Sequence, residues 1–475
     1  MTLWSIATPI GAAPDEPAHL IKAASVARGE FIGERGSFGH IVDVPQYVSF
    51  THAQTCFAFD SREEADCAEP APEPSDAIVP GSTTAGLYNP LYYALVGWPS
   101  LLLDDSSGIY GMRIASALLV SGFLALAVGL VCTWRRRLLP LIGLAVAATP
   151  MVLFLGGTVN PNALEITATL AAFAGMLTII RERERPLAPL AGVVLAGAAV
   201  AANMRGLSVL WLVVAILAPL VLASGHQIVE LLRRRPIQVA IAGSALAVLA
   251  AAIWLFSTNS LGAAVNDPLT ETIAPGVGAP WYYGAWWTFQ ATLEHLQSAV
   301  GIFGWLDAPA PLFVFAVWIA LAGGLLLLGA LLLRGRHLVF AFLLVASTVA
   351  LPPLVQAAYI SGGGLIWQGR YILPVFVCAA LGVATVLSDV LRPTPGVTVR
   401  ATILVVSLWS VAQVHAFATA IRRYAVGLDA SWADLVTAAE WVPPGGLLLS
   451  LGGMVVVSAA LVAGAVVAVR RFSRA

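Results

Sequence analysis

Long apolar runs, separated by short polar connections, dominate the chain. The runs that are long enough to cross a bilayer lie at 110–133, 138–156, 162–180, 237–257, 309–333, 338–357, 371–388, 400–421 and 447–469. An α-helix needs about 20 consecutive apolar residues to span roughly 30 Å of hydrocarbon. The pattern therefore predicts a transmembrane helix over each run.

Two other apolar segments do not have the length of a single span. Residues 187–223 are too long and are interrupted at Asn203, Arg205 and Gly206, so we interpret them as two short helices, 187–201 and 206–223. Residues 1–13 are too short, and we expect further residues before Met1 in the natural protein that complete a span. The sequence thus predicts an all-α polytopic membrane protein with about twelve transmembrane helices, the first of them truncated, in a single domain over 1–475.

Arginine clusters indicate the orientation of these helices. They lie at 135–137, 181–185, 233–235, 334–336, 392–400 and 470–471, which are alternate connections once 187–223 is counted as two helices. Basic residues accumulate in cytoplasmic connections, so these connections and both termini are predicted to be cytoplasmic. The opposite connections, of which 14–109 and 258–308 are the largest, are then extracytoplasmic.

The amino-acid composition is typical of a membrane protein and indicates a bacterial source. Hydrophobic residues make up 59% of the chain and charged residues only 11%, against about 25% charged in a soluble domain. Lys22 is the only lysine among 25 basic residues, which is typical of a GC-rich bacterial genome and favours the bacterial cytoplasmic membrane. No basic stripe indicates nucleic acid, and no P-loop, dinucleotide fingerprint or zinc spacing indicates ATP-driven transport or cytosolic cofactor chemistry.

The first outer loop, 14–109, is strongly acidic. We predict that its proline-rich stretch 60–82 is an irregular excursion without regular structure. Cys56 and Cys67 bracket ten residues of this loop, and an extracytoplasmic location permits a disulfide between them, although two free thiols are the alternative.

Polar residues that could carry chemistry follow the first apolar run directly. Asp15 and Glu16 are succeeded within two helical turns by His19 and Lys22. Asp15 is placed to cap the helix that begins near Pro17, which is the purely structural interpretation. Together, however, the four side chains offer a base and cations for an anionic group.

Three more polar groups lie at the outer ends of predicted spans. Tyr88, Asn89 and Tyr92 form either an interfacial aromatic belt or the lining of a sugar or lipid site. Asn160 and Asn162 form an outer turn, where helix capping is the simple explanation, and Glu165 follows inside a span, where an ionisable group is costly.

The later outer connections add an aromatic helix and two charged residues. Within 258–308, the aromatic residues Trp281, Tyr282, Tyr283, Trp286 and Trp287 predict an amphipathic helix in the outer interface. Asp307 ends this connection. Arg370, beside Tyr371, begins a span at its outer end, where it could bind phosphate or extend to lipid headgroups.

The order of these motifs resembles a known superfamily. The segments PDEPAH, YNPLYY, NPNAL, GWLD and QGRYILP, in this order, are similar to an uncharacterised bacterial family of predicted membrane proteins grouped with the GT-C glycosyltransferases. The resemblance extends from Pro14 to about Pro374. Each motif is of moderate specificity, and the order carries the resemblance.

The resemblance implies a GT-C-like enzyme on the outer face of the cytoplasmic membrane. Such an enzyme transfers a sugar from a polyprenyl phosphate donor to a glycan or lipid acceptor of the cell envelope. The role of general base would fall on Asp15, with Glu16 second. Arg370 would hold the donor phosphate, with Lys22 or His19 as further candidates.

Two alternatives remain open from the sequence. A transporter or flippase of a lipid-linked glycan would use the same outer residues as a binding site, although no internal repeat is evident. A divalent metal, Mg²⁺ or Mn²⁺, is compatible with convergence of Asp15, Glu16 and Asp307, but no spacing establishes it.

Overall fold

The computed structural model describes residues 1–37, 39–260 and 275–472, and these are mostly helical. The α-helices are α1 (Thr2–Ala7), α2 (Glu16–Ala27), α3 (Gln46–Ser49), α4 (Pro90–Val96), α5 (Ser107–Cys132), α6 (Leu138–Ala147), α7 (Pro150–Leu155), α8 (Pro161–Arg181), α9 (Leu187–Ala202), α10 (Ser208–Leu217), α11 (Gly225–Leu232), α12 (Arg235–Ser257), α13 (Trp281–Gln290), α14 (Thr292–Gly301), α15 (Leu312–Leu332), α16 (Gly335–Gly363), α17 (Leu373–Val390), α18 (Pro395–Val426), α19 (Asp434–Thr437) and α20 (Gly446–Phe472). The strands are β1 (Glu34–Arg35), β2 (His40–Pro45), β3 (Ile78–Thr83), β4 (Ile302–Phe303) and β5 (Ala308–Pro309).

The predicted all-α membrane architecture is confirmed. In the described ranges, eight helices are long and apolar enough to span a membrane: α5, α8, α12, α15, α16, Gly369–Val390 (which contains α17), α18 and α20. Of the apolar stretch in α8, 94% is buried inside the bundle, against 6% in α12. Helix α8 is therefore central, and α12 is a peripheral helix that faces lipid.

The segment 187–223 forms two short helices, as predicted. Helix α9 ends at Ala202, and α10, continued by a 3₁₀ turn over Ala218–Leu222, begins at Ser208. The turn between them brings Arg205 to the same end of the bundle as Asn162, to whose Oδ1 it donates a hydrogen bond. The pair thus places a charged turn beside the start of α8.

The prediction of one continuous helix over 138–156 is wrong. The chain breaks between α6 and α7, where Pro150 follows Thr149, because proline disfavours helical backbone in the residue before it. The Thr149 side chain caps α7 by accepting from Val152 N–H. The Ala148 carbonyl accepts hydrogen bonds from Trp409 and Gln413 of α18, which satisfies it within the bundle.

The arginine-rich connections meet at one end of the bundle. Asp389 bonds Arg181 at 2.7 Å and Arg136 at 3.2 Å, and Arg135 lies 3.3 Å from Glu184. Three connections that are distant in sequence therefore share one surface, which is the grouping that their alternation along the chain predicts.

At the other end, loop 14–109 folds into helices and a small sheet. Strand β2 pairs antiparallel with both β1 and β3. Val42 and Val44 of β2 are buried while Ile41 and Asp43 are exposed, because successive side chains of a strand point to opposite faces. The prediction that 60–82 lacks regular structure is wrong at its end, where Ile78 begins β3.

A disulfide and an arginine hold the acidic part of this loop. Cys56 and Cys67 are joined, with Cα atoms 6.1 Å apart. Within the closed segment, the carbonyls of Phe57, Asp60 and Glu63 accept hydrogen bonds from Arg423 of α18. The segment is thereby attached to the bundle.

The aromatic helix predicted in the second large outer loop forms as α13. Its Trp281, Tyr282 and Trp286 side chains are exposed, while Gly284 lies close to Ile360 of α16. A side chain at 284 would clash with α16, so glycine permits the close packing. Residues 261–274 of the predicted loop lie outside the described residues.

The predicted topology can be tested by cysteine labelling. In a Cys132→Ser background, Glu73→Cys is expected to react with a membrane-impermeant maleimide added to intact cells, because 14–109 is predicted to be extracytoplasmic. Arg233→Cys is the matched control, since positions 73 and 233 are both exposed. Because 233–235 is predicted to be cytoplasmic, this cysteine should react only after the cells are permeabilised. The reverse pattern would contradict the orientation.

Candidate active site

Asp15 stands at the start of α2 in an unusual backbone conformation. Its φ of 62° is left-handed, and its side chain makes no capping hydrogen bond, so the predicted capping role is wrong. Instead, Oδ2 of Asp15 accepts from Nη2 of Arg370 at 2.5 Å. The Asp15 side chain is 46% exposed and that of Arg370 only 5%, so the carboxylate is the accessible member of the pair.

Both neighbours of Asp15 are attached to the turn that precedes α8. Asn160 Nδ2 donates to the Pro14 carbonyl at 3.2 Å, and Val159 N–H donates to Glu16 Oε1 at 3.0 Å. The Pro14 carbonyl and the Glu16 side chain, on either side of Asp15, are thus both held by this turn. Asn160 also caps α8, as the sequence suggested.

Glu16 forms a fully buried ion pair with Arg113 of α5. Arg113 donates to both carboxylate oxygens, at 2.8 and 2.5 Å. It also donates to the carbonyls of Ser5, Thr8 and Pro9, which closes the end of α1. The Glu16 carboxylate is therefore fully occupied by Arg113 and the Val159 N–H in the core.

Asp15 opens into a cavity of about 300 Å³. Aromatic side chains form much of its wall, and they come from different parts of the chain: His19, Tyr88, Tyr359, Trp367 and Tyr371. Gln356 supports this wall, because its Oε1 accepts from the backbone N–H groups of Ile366 and Trp367. Aromatic rings around a carboxylate suit a sugar ring, which has apolar faces and polar edges.

A larger cavity of about 840 Å³ shares Tyr88, Arg205 and Tyr371 with the first. Its wall includes apolar side chains of the lipid-facing helix α12, such as Val248 and Leu255. The α12 side of this cavity suits a hydrocarbon chain, while Asn89, Glu165 and Arg205 line the same cavity with polar groups. The two cavities therefore meet at shared residues, and the apolar part of the larger one lies against α12.

Arg205 lies where the two cavities meet. Its guanidinium donates to Asn162 Oδ1 at 2.5 Å and lies 4.4 Å from the centre of the Tyr371 ring. Arg205 was predicted only as an interruption of 187–223 and not as a residue of the site. The signal was available, because an arginine in an outer turn departs from the cytoplasmic preference of basic residues.

The two other predicted cations differ from the arginines. Burial lowers the pKa of His19 to about 3, so this imidazole is neutral at physiological pH; its Nδ1 lies 2.9 Å from the Tyr93 hydroxyl. Lys22 is buried and donates to the carbonyls of Phe31 and Gly86 in the loop. The arginines at the cavities are therefore Arg205, which lines both, Arg35, which lines the larger one, and Arg370, which bonds Asp15.

The remaining predicted site residues are distributed over several places. Asn89 lines the larger cavity and donates to Asn203. Tyr92 is buried, with its hydroxyl 2.9 Å from the Ser116 hydroxyl. Asp307 pairs with Arg423 at 2.8 Å, away from both cavities. Asn162 reaches the site through Arg205.

The arrangement does not fit a metal site. Asp15, Glu16 and Asp307 each pair with a different arginine. Among the described residues, no three acidic, histidine or cysteine side chains are grouped so that they could hold a metal ion. Convergence of the three carboxylates, on which the metal hypothesis depends, does not occur.

Comparison with known proteins gives one family and two structures. The model of a family described as "Predicted membrane protein (DUF2142)" matches residues 1–379. No curated protein matches the chain. Two crystal structures of ArnT from Cupriavidus metallidurans are similar, one in the apo state and one bound to undecaprenyl phosphate, at 14% and 13% identity with TM-scores of 0.42 and 0.45. Each match covers 98% of this chain and 74% of the ArnT chain.

Proposed function

The chain belongs to the DUF2142 family of predicted membrane proteins, and we propose that it is a membrane glycosyltransferase. In this proposal it moves a sugar from a polyprenyl phosphate donor to an acceptor of the cell envelope, at the outer face of the bacterial cytoplasmic membrane. The observation that carries the proposal is the pairing of Asp15 with Arg370 at a cavity that Arg205 links to a larger one, whose wall includes apolar side chains of α12.

The general base in this proposal is Asp15. The carboxylate bonds Arg370 through Oδ2, and Oδ1 can accept the hydroxyl of the acceptor. As that oxygen attacks the anomeric carbon of the sugar, its proton passes to Asp15 and the bond from the anomeric carbon to the phosphate oxygen breaks. Glu16 has no part in this step, because Arg113 and Val159 occupy its carboxylate.

The donor phosphate is assigned to the arginines. Arg205 lines both cavities, and a guanidinium presents several donors to phosphate oxygens. Arg370 adds a second positive charge beside Asp15. Together they stabilise the negative charge that develops on the leaving phosphate. Lys22 and His19 are not needed as cations, since the first is bonded to loop carbonyls and the second is neutral.

The two cavities divide the donor into its parts. The polyprenyl chain lies in the larger cavity, against α12, and the sugar lies among the aromatic side chains of the smaller one. Arg205 at the junction then contacts the phosphate that connects them. This division places the anomeric carbon next to Asp15, where the acceptor can enter from the outer surface.

The proposal is tested by a transfer assay. Membranes that contain the protein are expected to consume a radiolabelled polyprenyl-phosphate sugar and release unloaded polyprenyl phosphate, whereas membranes lacking it should not. In the transporter alternative, the labelled lipid changes leaflet in proteoliposomes but its sugar bond stays intact. Protein-dependent movement of the labelled lipid between leaflets, without cleavage of its sugar bond, would therefore contradict the enzyme hypothesis and support the transporter hypothesis.

A further inference from the structure

Glu165 is an ionisable residue inside α8 that the proposed reaction does not use. Its side chain is buried, with 1% exposure, yet it borders the larger cavity. A carboxylate at this depth in a membrane protein is costly and calls for partners. Its partners are the residues that hold Arg205.

The first link between Glu165 and Arg205 runs through Ser208. The Ser208 hydroxyl donates to Glu165 Oε1 at 2.6 Å, and Oγ of Ser208 accepts from the Arg205 backbone N–H at 2.9 Å. Because the hydroxyl donates its proton in the hydrogen bond to the carboxylate, a lone pair of Ser208 Oγ is directed at the Arg205 backbone N–H. Glu165 thereby determines the conformation of the turn that carries Arg205.

The second link runs through Asn162, one turn earlier in α8. Asn162 Nδ2 faces Glu165 Oε2 at 3.5 Å, while Asn162 Oδ1 accepts from Arg205 Nη1 at 2.5 Å. An amide has one donor side and one acceptor side. The Glu165 carboxylate on the donor side leaves the acceptor side for the guanidinium, and its negative charge stabilises the half-buried, positively charged Arg205.

We propose that Glu165 is a positioning residue, which orients Arg205 toward the phosphate of the donor lipid through Ser208 and Asn162. The proposal rests on the proposed function, because it takes Arg205 as the phosphate-binding group. Glu165 does not touch the substrate in this account. It sets donor affinity by holding the guanidinium at the junction of the two cavities, against the Tyr371 ring.

Glu165→Gln separates this role from simple packing. Glutamine keeps the shape of the glutamate side chain, but its amide nitrogen reverses the direction of the hydrogen bond with Asn162. The amide nitrogen of Gln favours an acceptor on Asn162, so the Asn162 amide rotates and presents a donor to Arg205. Two donors then face each other and Arg205 loses its orientation. The double variant Glu165→Gln, Asn162→Asp restores an acceptor on both sides and keeps the net charge.

Binding of undecaprenyl phosphate to the purified protein is the measurement, followed by the fluorescence of the cavity tryptophans Trp211 and Trp254. Glu165→Gln is expected to raise the Kd about 10- to 100-fold, the range for a hydrogen bond to a charged group. Its KM for the donor should rise and its kcat should fall, because Arg205 also stabilises the charge on the leaving phosphate. The double variant is expected to recover most of the affinity.

The outcomes distinguish this inference from the proposed function. Unchanged affinity in Glu165→Gln, or no recovery in the double variant when both unfold at the wild-type temperature, overturns the role of Glu165. Wild-type protein that binds undecaprenyl phosphate but transfers no sugar overturns only the proposed enzyme, and the comparison of variants still decides the inference. Wild-type protein that does not bind the lipid phosphate overturns both.

Discussion

Replacing Asp15 with Asn is expected to lower sugar transfer by about 10²–10⁴-fold, the usual contribution of a general base. The amide keeps the size of the carboxylate and can still accept a hydrogen bond from Arg370, so folding and donor binding should persist. The measurement is initial transfer rate from a radiolabelled polyprenyl-phosphate sugar, together with the melting temperature of the variant.

A matched control lies in the same loop. Asp76 is exposed, and Asp76→Asn removes the same charge without touching the cavity, so it should transfer at nearly the wild-type rate. Arg370→Ala is expected to weaken donor binding as well as turnover. Near-full activity in Asp15→Asn would require the base to be reassigned.

Arg113→Ala is expected to cause a large loss of stability, because it breaks a fully buried ion pair. Breaking a buried pair leaves the remaining charge without compensation, which costs about 3–5 kcal/mol. Here the change strands the Glu16 carboxylate and the carbonyls of Ser5, Thr8 and Pro9 in the core. The free energy of unfolding in detergent, measured by denaturant titration, gives the effect.

An exposed ion pair supplies the comparison. Arg62 and Asp429 lie 2.9 Å apart with side chains 78% and 75% exposed. Pairs of this kind contribute about 0–1 kcal/mol because water and salt screen them. The free energy of unfolding of Arg62→Ala should therefore stay close to that of the wild type. A loss in Arg113→Ala as small as the loss in Arg62→Ala would contradict a structural role for the Glu16–Arg113 pair.

The transmembrane plan follows from sequence because its causes are local. A run of apolar residues must be helical in lipid, where no water is present to bond the backbone. The split of 187–223 was predicted in the same way, because Asn203 and Arg205 would be costly at the centre of a span. The break at Thr149 was missed because a single Thr-Pro step hardly alters the hydropathy of its run.

The residues of the candidate site could be predicted from the sequence only in part. Asp15, His19, Tyr88 and Tyr371 were selected because polar or aromatic residues stood at the outer ends of spans, and the structure brings them to one cavity. The same criterion also selected Glu16, Lys22 and Asp307, which the structure pairs with partners outside the cavities. Local sequence does not distinguish a carboxylate that faces a cavity from one that faces an arginine.

The sequence by itself determined the helical membrane class, the paired short helices and the end of the bundle that carries the polar residues. Hydropathy and charge decide these properties, and both can be read along the chain. Only the tertiary structure decided which arginine meets which carboxylate. Arg370 lies 355 positions from Asp15, and Arg113 lies 97 from Glu16. Such pairings depend on how the helices pack, so the proposed role of Glu165 emerged from contacts between distant parts of the chain, whereas the role of Asp15 was already implied by the resemblance.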